Sequence, residues 1–354
     1  VELGSERLLP AIVAGYEAML SIGRALDGAR LIYRGVWPTL ATATLGAVAA
    51  VGNVLALDAT RLANALGLAL QRVTLARRSA LVQPAYRPFV LGTAAIDGWD
   101  CAHAAMAGLK PADAALDNYL HAIEAIAGPV TFAEAIVADG DGTFLIDQVD
   151  SKIWPTSRQA LASIAAFRTL LPLDFDLVES IRVAVPADYL HMVDQPDLPD
   201  SRIASMIGVQ YALALTASGS SALFDVCRTA LPSDASVAGW MGKVRVESDA
   251  DLTRRFPAVW GSAVEVRLRS GESVAAETLV PDGAASRPLD WDALDEKYRT
   301  LTSASRLDDA DRFEALGAGC RALVRSSSGR CESLLALTAG SGEPRRNAMP
   351  VTSI

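Results

Sequence analysis

The longest uncharged stretch runs from Gly35 to Leu57 and consists mostly of Ala, Thr, Val and Gly. It is long enough to cross a bilayer, but Leu, Ile and Phe, which favour insertion, are sparse. A helix that is apolar on all sides must be surrounded, so we predict a buried central helix. Pro38 fits its first turn, where no backbone N–H partner is lost. The N-terminus of this helix carries partial positive charge, which suits an anionic ligand. The alternative is a well-capped core helix that binds nothing at this end.

Helical periodicity recurs on both sides of this stretch. Apolar positions repeat at helical spacing over residues 5–26, 59–75 and 89–109. Asp58 and Thr60 stand where an N-cap for the second of these helices would lie. The small residues permit short distances between helix axes, so we predict a close-packed helical region.

The pattern changes after about residue 150, where helix-like and strand-like runs alternate. Helical spacing is found over 157–170 and 201–217, and a Ser270-Gly271 turn separates two strand-like runs. The strand-like runs read SIRVAVPA, KVRVES, SAVEVRL and VAAETLV.

These patterns together predict the domain organisation. We expect a large all-helical domain with a smaller α+β lid domain inserted in it. The expected boundaries are 1–147 for the first helical part, 148–284 for the lid and 285–340 for the second helical part. Residues 341–354 show no core pattern, and we expect a mobile tail there.

Composition narrows the class of protein. The 354 residues carry a net charge of -9, with a pI of about 5.0, which argues against nucleic acid as the main partner. We interpret a second uncharged run, 203–224, as another buried helix rather than a membrane span. The four cysteines show no CxxC spacing, and the first residues do not form a signal peptide. We therefore expect reduced thiols in a cytoplasmic protein.

Common catalytic motifs are absent from the sequence. His103, His121 and His191 have no metal-ligand spacing, so no zinc site is expected, and each is better explained as a packed or surface histidine. No nucleophile elbow, phosphate-binding loop or dinucleotide fingerprint occurs.

Three other side chains are candidates for chemistry. Lys152 precedes Ile-Trp-Pro at the predicted domain boundary, where partial desolvation would lower its pKa; the alternative is a surface lysine. Arg87 lies between two prolines, and its guanidinium is suited to binding a carboxylate of a ligand. The alternative is an ion pair within the loop. Tyr211 lies on an apolar helix, where its phenol needs a partner and core packing is the default.

Six segments in the same order resemble the MmgE/PrpD family, which includes 2-methylcitrate dehydratase and cis-aconitate decarboxylase. The segments are AIVAGYEAM (11–19), GVWPT with the helix after it (35–57), GTAA (92–95), KIWPTSRQALASI (152–164), VQYALALTA (209–217) and GESVAAETLVPDGAASRPLDWDALDEKY (271–298). The resemblance implies a helical domain with an inserted lid, an active site between them, and commonly a homodimer. It implies di- or tricarboxylate substrates and no metal or organic cofactor.

The resemblance also assigns roles to individual residues. Lys152 matches the family's lid lysine and Tyr211 its tyrosine, so both are expected to be catalytic. Trp37 and Thr39 lie in the segment that resembles the family's GxHPT-like motif, with Trp37 in place of the histidine. Both are expected to contact substrate.

The sequence departs from the family at further positions. Arg87 stands where the family has a lysine, and Ser157 stands where it has His or Cys; we expect both to bind substrate. The family's N-terminal helices, which carry an Asp- and His-containing catalytic stretch, have no counterpart that we recognise. Since removing a positioned acid or base lowers a rate by roughly 10²–10⁴, ordinary dehydratase chemistry is in doubt.

Two functions follow as hypotheses. The first is a cofactor-independent lyase or isomerase acting on a carboxylate-containing metabolite by dehydration, decarboxylation, epimerisation or cyclisation. In it Arg87 anchors the carboxylate, Lys152 is the acid/base, and Trp37 narrows the pocket. The second is a non-catalytic binding homologue, or a subunit completed by a partner chain that supplies the absent N-terminal segment. A membrane protein is the weakest alternative, because it rests only on the two uncharged runs.

Overall fold

The computed structural model describes residues 5–73, 75, 86–130, 143–223, 231–303 and 310–325. These residues are mostly helical and include one four-stranded sheet. The helices are α1 Ser5–Ala25, α2 Gly28–Leu31, α3 Pro38–Val54, α4 Ala59–Leu70, α5 Tyr86–Met106, α6 Ala115–Ala127, α7 Leu161–Arg168, α8 Ala187–Val193, α9 Val209–Ala217, α10 Ala235–Lys243, α11 Ala250–Arg255, α12 Trp291–Ser303 and α13 Ala310–Arg325. The strands are β1 Val178–Val185, β2 Val244–Ser248, β3 Ser262–Leu268 and β4 Ser273–Thr278.

The chain divides into two compact units. Residues 11–306 form the larger unit, and residues 1–10 with 307–354 form the smaller. Within the described part of the smaller unit, α13 buries Leu323 and leaves Val324 exposed, as expected of a helix with one apolar face. The predicted tail, 341–354, lies outside the described residues. The predicted domain boundaries at 147 and 284 remain predictions.

Helix α3 is the buried central helix that the sequence predicts. Trp37 is its N-cap residue and Pro38 occupies the first turn. Small residues let α1 approach α3 backbone to backbone: a Cβ added at Gly15 would lie 3.0 Å from the Gly46 carbonyl oxygen, and one at Gly46 would lie 2.9 Å from the Gly15 oxygen. The small residues of the stretch therefore allow α1 and α3 to pack closely against each other. No helix in the described ranges has the length and apolar character needed to cross a bilayer.

The neighbouring helices begin and end close to their predicted positions. Asp58 caps α4, because its side chain accepts a hydrogen bond from the Arg61 amide at 2.8 Å. An ion pair between Arg72 and the largely buried Asp97 joins the end of α4 to α5. Of the four cysteines, Cys101 and Cys320 lie in the described ranges, and both are free thiols.

All four predicted strands are present and form a mixed sheet in the order β2-β1-β3-β4. β1 pairs with β2 in parallel, with Ile181 opposite Val244, and with β3 antiparallel, with Ile181 opposite Val266. β3 and β4 form a hairpin that turns at Gly271, whose φ is +90°. This confirms the predicted Ser270-Gly271 turn.

One face of the sheet packs against α7 and α9 and forms the largest hydrophobic core. The predicted helix over 201–217 is wrong in its first half, because only Val209–Ala217 is α-helical. Gly208 is extended, with φ -68° and ψ 132°, and a Cβ there would lie 2.9 Å from the Gln195 Cβ. The close contact between Gly208 and Gln195 therefore sets the point at which the helix begins.

Candidate active site

A cavity of about 750 Å³ opens in the larger unit. Its wall combines four parts of the chain: the first helices, the segment around Lys152, the stretch from Met192 to Ile207, and α12. The lining residues are Tyr16, Ile32, Trp37, 149–157, Gln159, Met192, Arg202, Ile203, Met206, Ile207, Lys297 and Leu301.

The segment from Asp150 to Ser157 is held in place at both ends. The Ser151 amide donates to the Gly283 carbonyl at 2.6 Å, which ties the segment to the loop before α12. At the other end, the Ser157 amide donates to the Met206 carbonyl at 2.7 Å, and the Thr156 hydroxyl donates to the same oxygen at 2.9 Å. The cavity wall therefore has a fixed backbone where Lys152 projects.

Lys152 lines the cavity but is exposed, and its ammonium donates to the Thr156 carbonyl at 2.9 Å. The sequence left two interpretations of this lysine open, partial desolvation and a surface position. The exposed side chain agrees with the surface position. The backbone carbonyl instead fixes the direction of the ammonium.

Lys297 is the desolvated lysine of this cavity. It lies on α12, is half-buried, and burial lowers the pKa of its ammonium below the ordinary value. No hydrogen bond or ion pair joins its ammonium to the part of the chain that the structure describes. A buried cation without a counter-ion attracts an anionic ligand.

Arg202 adds a third cation to the wall. It lies on the loop before α9, is exposed, and its guanidinium makes no hydrogen bond or ion pair within the described ranges. Its planar fork of N–H donors matches a carboxylate.

Among the described lining residues Asp150 is the one acid, and both of its carboxylate oxygens are occupied. One accepts from the Ala285 amide at 2.8 Å, and the other pairs with Arg158. Its charge is therefore largely compensated within the wall. Within the described ranges, Arg202 and Lys297 therefore remain as cations of the wall without a counter-ion.

Apolar and neutral polar groups complete the wall. Trp37, Trp154 and Met192 supply apolar surface. Gln159 is fixed by a hydrogen bond from its amide nitrogen to the Tyr33 hydroxyl at 2.7 Å. The cavity thus combines a cationic region with an apolar one. In the described ranges, no group of three or more His, Cys, Asp or Glu residues is placed to hold a metal ion.

The structure brings only some of the predicted site residues together. Trp37, Lys152 and Ser157 share the cavity wall, whereas Thr39 does not line it. Tyr211 is 1% exposed and its hydroxyl donates to the Pro232 carbonyl at 3.0 Å, so it belongs to the core beneath the sheet. Core packing, the default interpretation of an apolar helix, explains this position.

Arg87 lies in the first turn of α5, but its side chain is outside the described part of the structure. Its predicted contact with a carboxylate therefore stays a prediction.

Sequence reasoning missed Arg202 and Lys297. Arg202 is the last charged residue before the uncharged run 203–224, and a cation at the edge of such a run was a usable signal. Lys297 lies inside the last segment that resembles the family, but nothing local separates it from its charged neighbours in DEKYR. Only the tertiary fold turns it towards the cavity.

Comparison with known proteins decides the family. The MmgE/PrpD N-terminal domain matches residues 2–135, and the MmgE/PrpD C-terminal domain matches residues 154–318. The chain belongs to the MmgE/PrpD family. This confirms the resemblance seen in the six segments. The N-terminal match ends shortly before the segment that carries Lys152.

A human relative, cis-aconitate decarboxylase, is 26% identical over 297 residues. The match covers 79% of this chain and 58% of the relative. The chain therefore spans little more than half of the relative's length.

Proposed function

We propose that this MmgE/PrpD protein is a cofactor-independent lyase that acts on a small molecule with two or more carboxylates. The cavity around Lys152, Arg202 and Lys297 is the proposed active site. Arg202 and Lys297 bind carboxylates of the substrate, and Lys152 acts as the acid/base. Trp37 narrows the pocket and contacts the carbon chain of the substrate.

One observation carries this proposal. Lys152, Arg202 and Lys297 line one cavity, and the acidic lining residue, Asp150, is already paired with Arg158 and the Ala285 amide. Arg202 and Lys297 have no counter-ion among the described residues, so the site favours an anionic ligand. A di- or tricarboxylate compensates that charge, and its carbon chain fits the apolar wall.

The same arrangement suits the chemistry of carboxylate lyases. In decarboxylation the bond to a carboxylate carbon breaks, CO₂ leaves, and the electron pair stays on the neighbouring carbon, which then takes a proton. Cations fixed beside the remaining carboxylates stabilise that developing charge, and a lysine ammonium supplies the proton. In dehydration the C–H proton is removed, the C–O bond breaks as the double bond forms, and a proton from the lysine ammonium lets the hydroxyl group leave as water.

The proposal is tested by assaying the purified chain against a panel of aliphatic di- and tricarboxylates, with cis-aconitate first. Release of CO₂ and the ultraviolet absorbance of conjugated acids distinguish decarboxylation from dehydration. We expect Lys152→Met to lower kcat by roughly 10²–10⁴. Lys110→Met, an exposed loop lysine outside the cavity lining, serves as the matched control and should leave kcat unchanged.

Two results would speak against this function. Unchanged turnover in Lys152→Met would show that the role given to this lysine is wrong. Tight binding of carboxylates without turnover of any would favour the alternative, a non-catalytic homologue or a subunit that needs a partner chain.

We propose further that the chain forms a homodimer through α5. Phe89, Ile96, Trp99 and Met106 repeat at helical spacing on one face and are 69%, 63%, 55% and 43% exposed. By the usual size of such side chains they expose roughly 400 Å², about half of what each partner of a stable pair buries.

The face is also complementary to itself. In an antiparallel pair of α5 helices with the two-fold axis at Ile96, Trp99 of one copy lies level with Thr93 of the other, one residue from Gly92. A Cβ added at Gly92 meets nothing within 4 Å, so an indole has room there. A second copy is therefore the proposed occupant of this face.

A further inference from the structure

A second cavity of about 650 Å³ lies beside the candidate active site. The two cavities share Ile153, Trp154, Lys297 and Leu301 in their walls. The remaining lining residues of the second cavity are Ala165, Arg168, Thr169, Asp282, Leu289, Ala293, Glu296 and Thr300. The proposed lyase function assigns no role to it.

Two cations of this cavity have no counter-ion among the residues that the structure describes. The Arg168 guanidinium lies over the Trp154 ring, 5.6 Å from its centroid, and makes no hydrogen bond or ion pair with the described residues. A guanidinium over an aromatic face keeps its edge N–H groups available. Lys297, half-buried and likewise without a partner there, is the second cation.

The two acids of the cavity are already paired on its outer side. Asp282 pairs with Arg287 at 2.7 Å, and Glu296 pairs with Arg299 at 2.8 Å. Neither therefore compensates Arg168 or Lys297. The charge available to a ligand in this cavity is positive.

Most of the remaining wall is apolar, and Thr169 and Thr300 add two hydroxyl groups. Ile153, Leu289, Ala293 and Leu301 lie with the indole of Trp154 around the cavity. A fully hydrated inorganic anion would leave this surface uncovered. An anion with a compact hydrocarbon body uses both the cations and the apolar wall.

We propose that the second cavity binds a monocarboxylate with a compact apolar body. Arg168 and Lys297 hold the carboxylate, while Trp154 and Leu289 contact the hydrocarbon. This inference goes beyond the proposed lyase function and depends on cavity geometry rather than on turnover.

The shared lysine gives this site a consequence for the first cavity. One ammonium cannot give its full attraction to an anion on each side at once. Ligands in the two cavities therefore weaken each other, and by linkage each weakens the other by the same factor. The second cavity would then be an inhibitory site for acids that are not substrates.

Titration calorimetry with 4-phenylbutyrate tests the site, with 4-phenylbutanamide as the uncharged control ligand. We expect the wild-type chain to bind the acid and not the amide. Arg168→Met should weaken binding by about tenfold or more, because the carboxylate loses a charge-assisted partner. Ala293→Trp, which fills the cavity without changing its charge, should weaken binding to a similar extent.

Arg202→Met is the matched control, because Arg202 lines the first cavity and not the second. It should leave binding of the acid within twofold of the wild-type value. The proposal is overturned if the wild-type chain binds no phenylbutyrate, or if Arg168→Met and Ala293→Trp, both folded by thermal unfolding, bind it normally. It is also overturned if Arg202→Met is the variant that loses binding.

Discussion

The backbones of Ser151 and Gly283 are in direct contact at the edge of the candidate active site. The Ser151 amide donates to the Gly283 carbonyl at 2.6 Å, and a Cβ added at Gly283 would overlap the Ser151 carbonyl oxygen. Gly283 also has a φ of +85°, a conformation that other residues rarely adopt. The segment that carries Lys152 therefore depends on a glycine at this distant position.

Gly283→Ala should destabilise the protein by about 2–4 kcal/mol and lower turnover. Backbone strain accounts for about 1–2 kcal/mol, and the clash with Ser151 adds to it. Gly271→Ala is the matched control, because Gly271 has a φ of +90° but nothing within 4 Å of the added Cβ. Thermal and urea unfolding of both variants measure the difference. Equal losses of stability would show that the contact with Ser151 contributes nothing.

The close approach of α1 and α3 predicts opposite effects for two glycines on α1. Gly15→Ala should lower stability, because the new Cβ meets the Gly46 oxygen at 3.0 Å and the Ala50 Cβ at 3.1 Å. Gly23→Ala should raise it by about 0.5–1 kcal/mol, since nothing lies within 4 Å and alanine favours a helix. The two shifts in Tm should have opposite signs. A gain in Tm for Gly15→Ala would contradict the packing described for α3.

Burial of Lys297 predicts a stability effect that depends on pH. The pKa of its ammonium is lowered in the folded protein, so at neutral pH the folded state carries the penalty of a buried charge. The folded state loses this proton before the unfolded state does. The penalty therefore falls as pH rises through the folded pKa towards the unfolded value of about 10.4.

Lys297→Met removes that charge and keeps much of the side-chain volume. It should raise Tm at pH 7, and the gain over wild type should shrink between neutral pH and about pH 10. Thermal unfolding across this range measures the difference between the two proteins. A constant difference in Tm, or a lower Tm for the variant at pH 7, would contradict the burial of an uncompensated ammonium.

The proposed dimer predicts a cross-link at the two-fold axis. Ile96→Cys should form a covalent dimer under mild oxidation, because the axis brings both copies of this position together. Leu198→Cys, exposed on a loop of the larger unit, should not. Trp99→Glu should convert the dimer to a monomer in light scattering, since burying two carboxylates in an apolar contact is unfavourable. A wild-type monomer, or a dimer unaffected by Trp99→Glu, would show that α5 does not form the interface.

Much of the fold could be predicted from local pattern. The small residues of α3, the proline at its start and the alternation in the four strands are local signals, and the structure confirms the elements that they predict. The helix expected over 201–217 failed because the close approach of Gly208 to Gln195 is a tertiary contact. No periodicity in the segment reports that contact.

The site was less predictable for the same reason. Lys152 and Trp37 were identified from their positions beside Pro155 and Pro38, and both line the cavity. Tyr211 was expected to be catalytic only from the family resemblance, with core packing as the default, and its hydroxyl donates to the Pro232 carbonyl in the core. Lys297 is one charge among many on α12, and only the packing of that helix distinguishes it. Which side chains meet at a cavity is decided by contacts between distant segments.

The most direct measurement of the central claim is the affinity of the chain for cis-aconitate by titration calorimetry. If Lys152, Arg202 and Lys297 form one carboxylate-binding wall, Arg202→Gln should weaken binding by about tenfold or more. Arg254→Gln, which removes an exposed guanidinium already paired with Asp251, should bind like wild type. Equal affinity in all three proteins, or no binding of the tricarboxylate by the wild-type chain at millimolar concentration, would contradict the account.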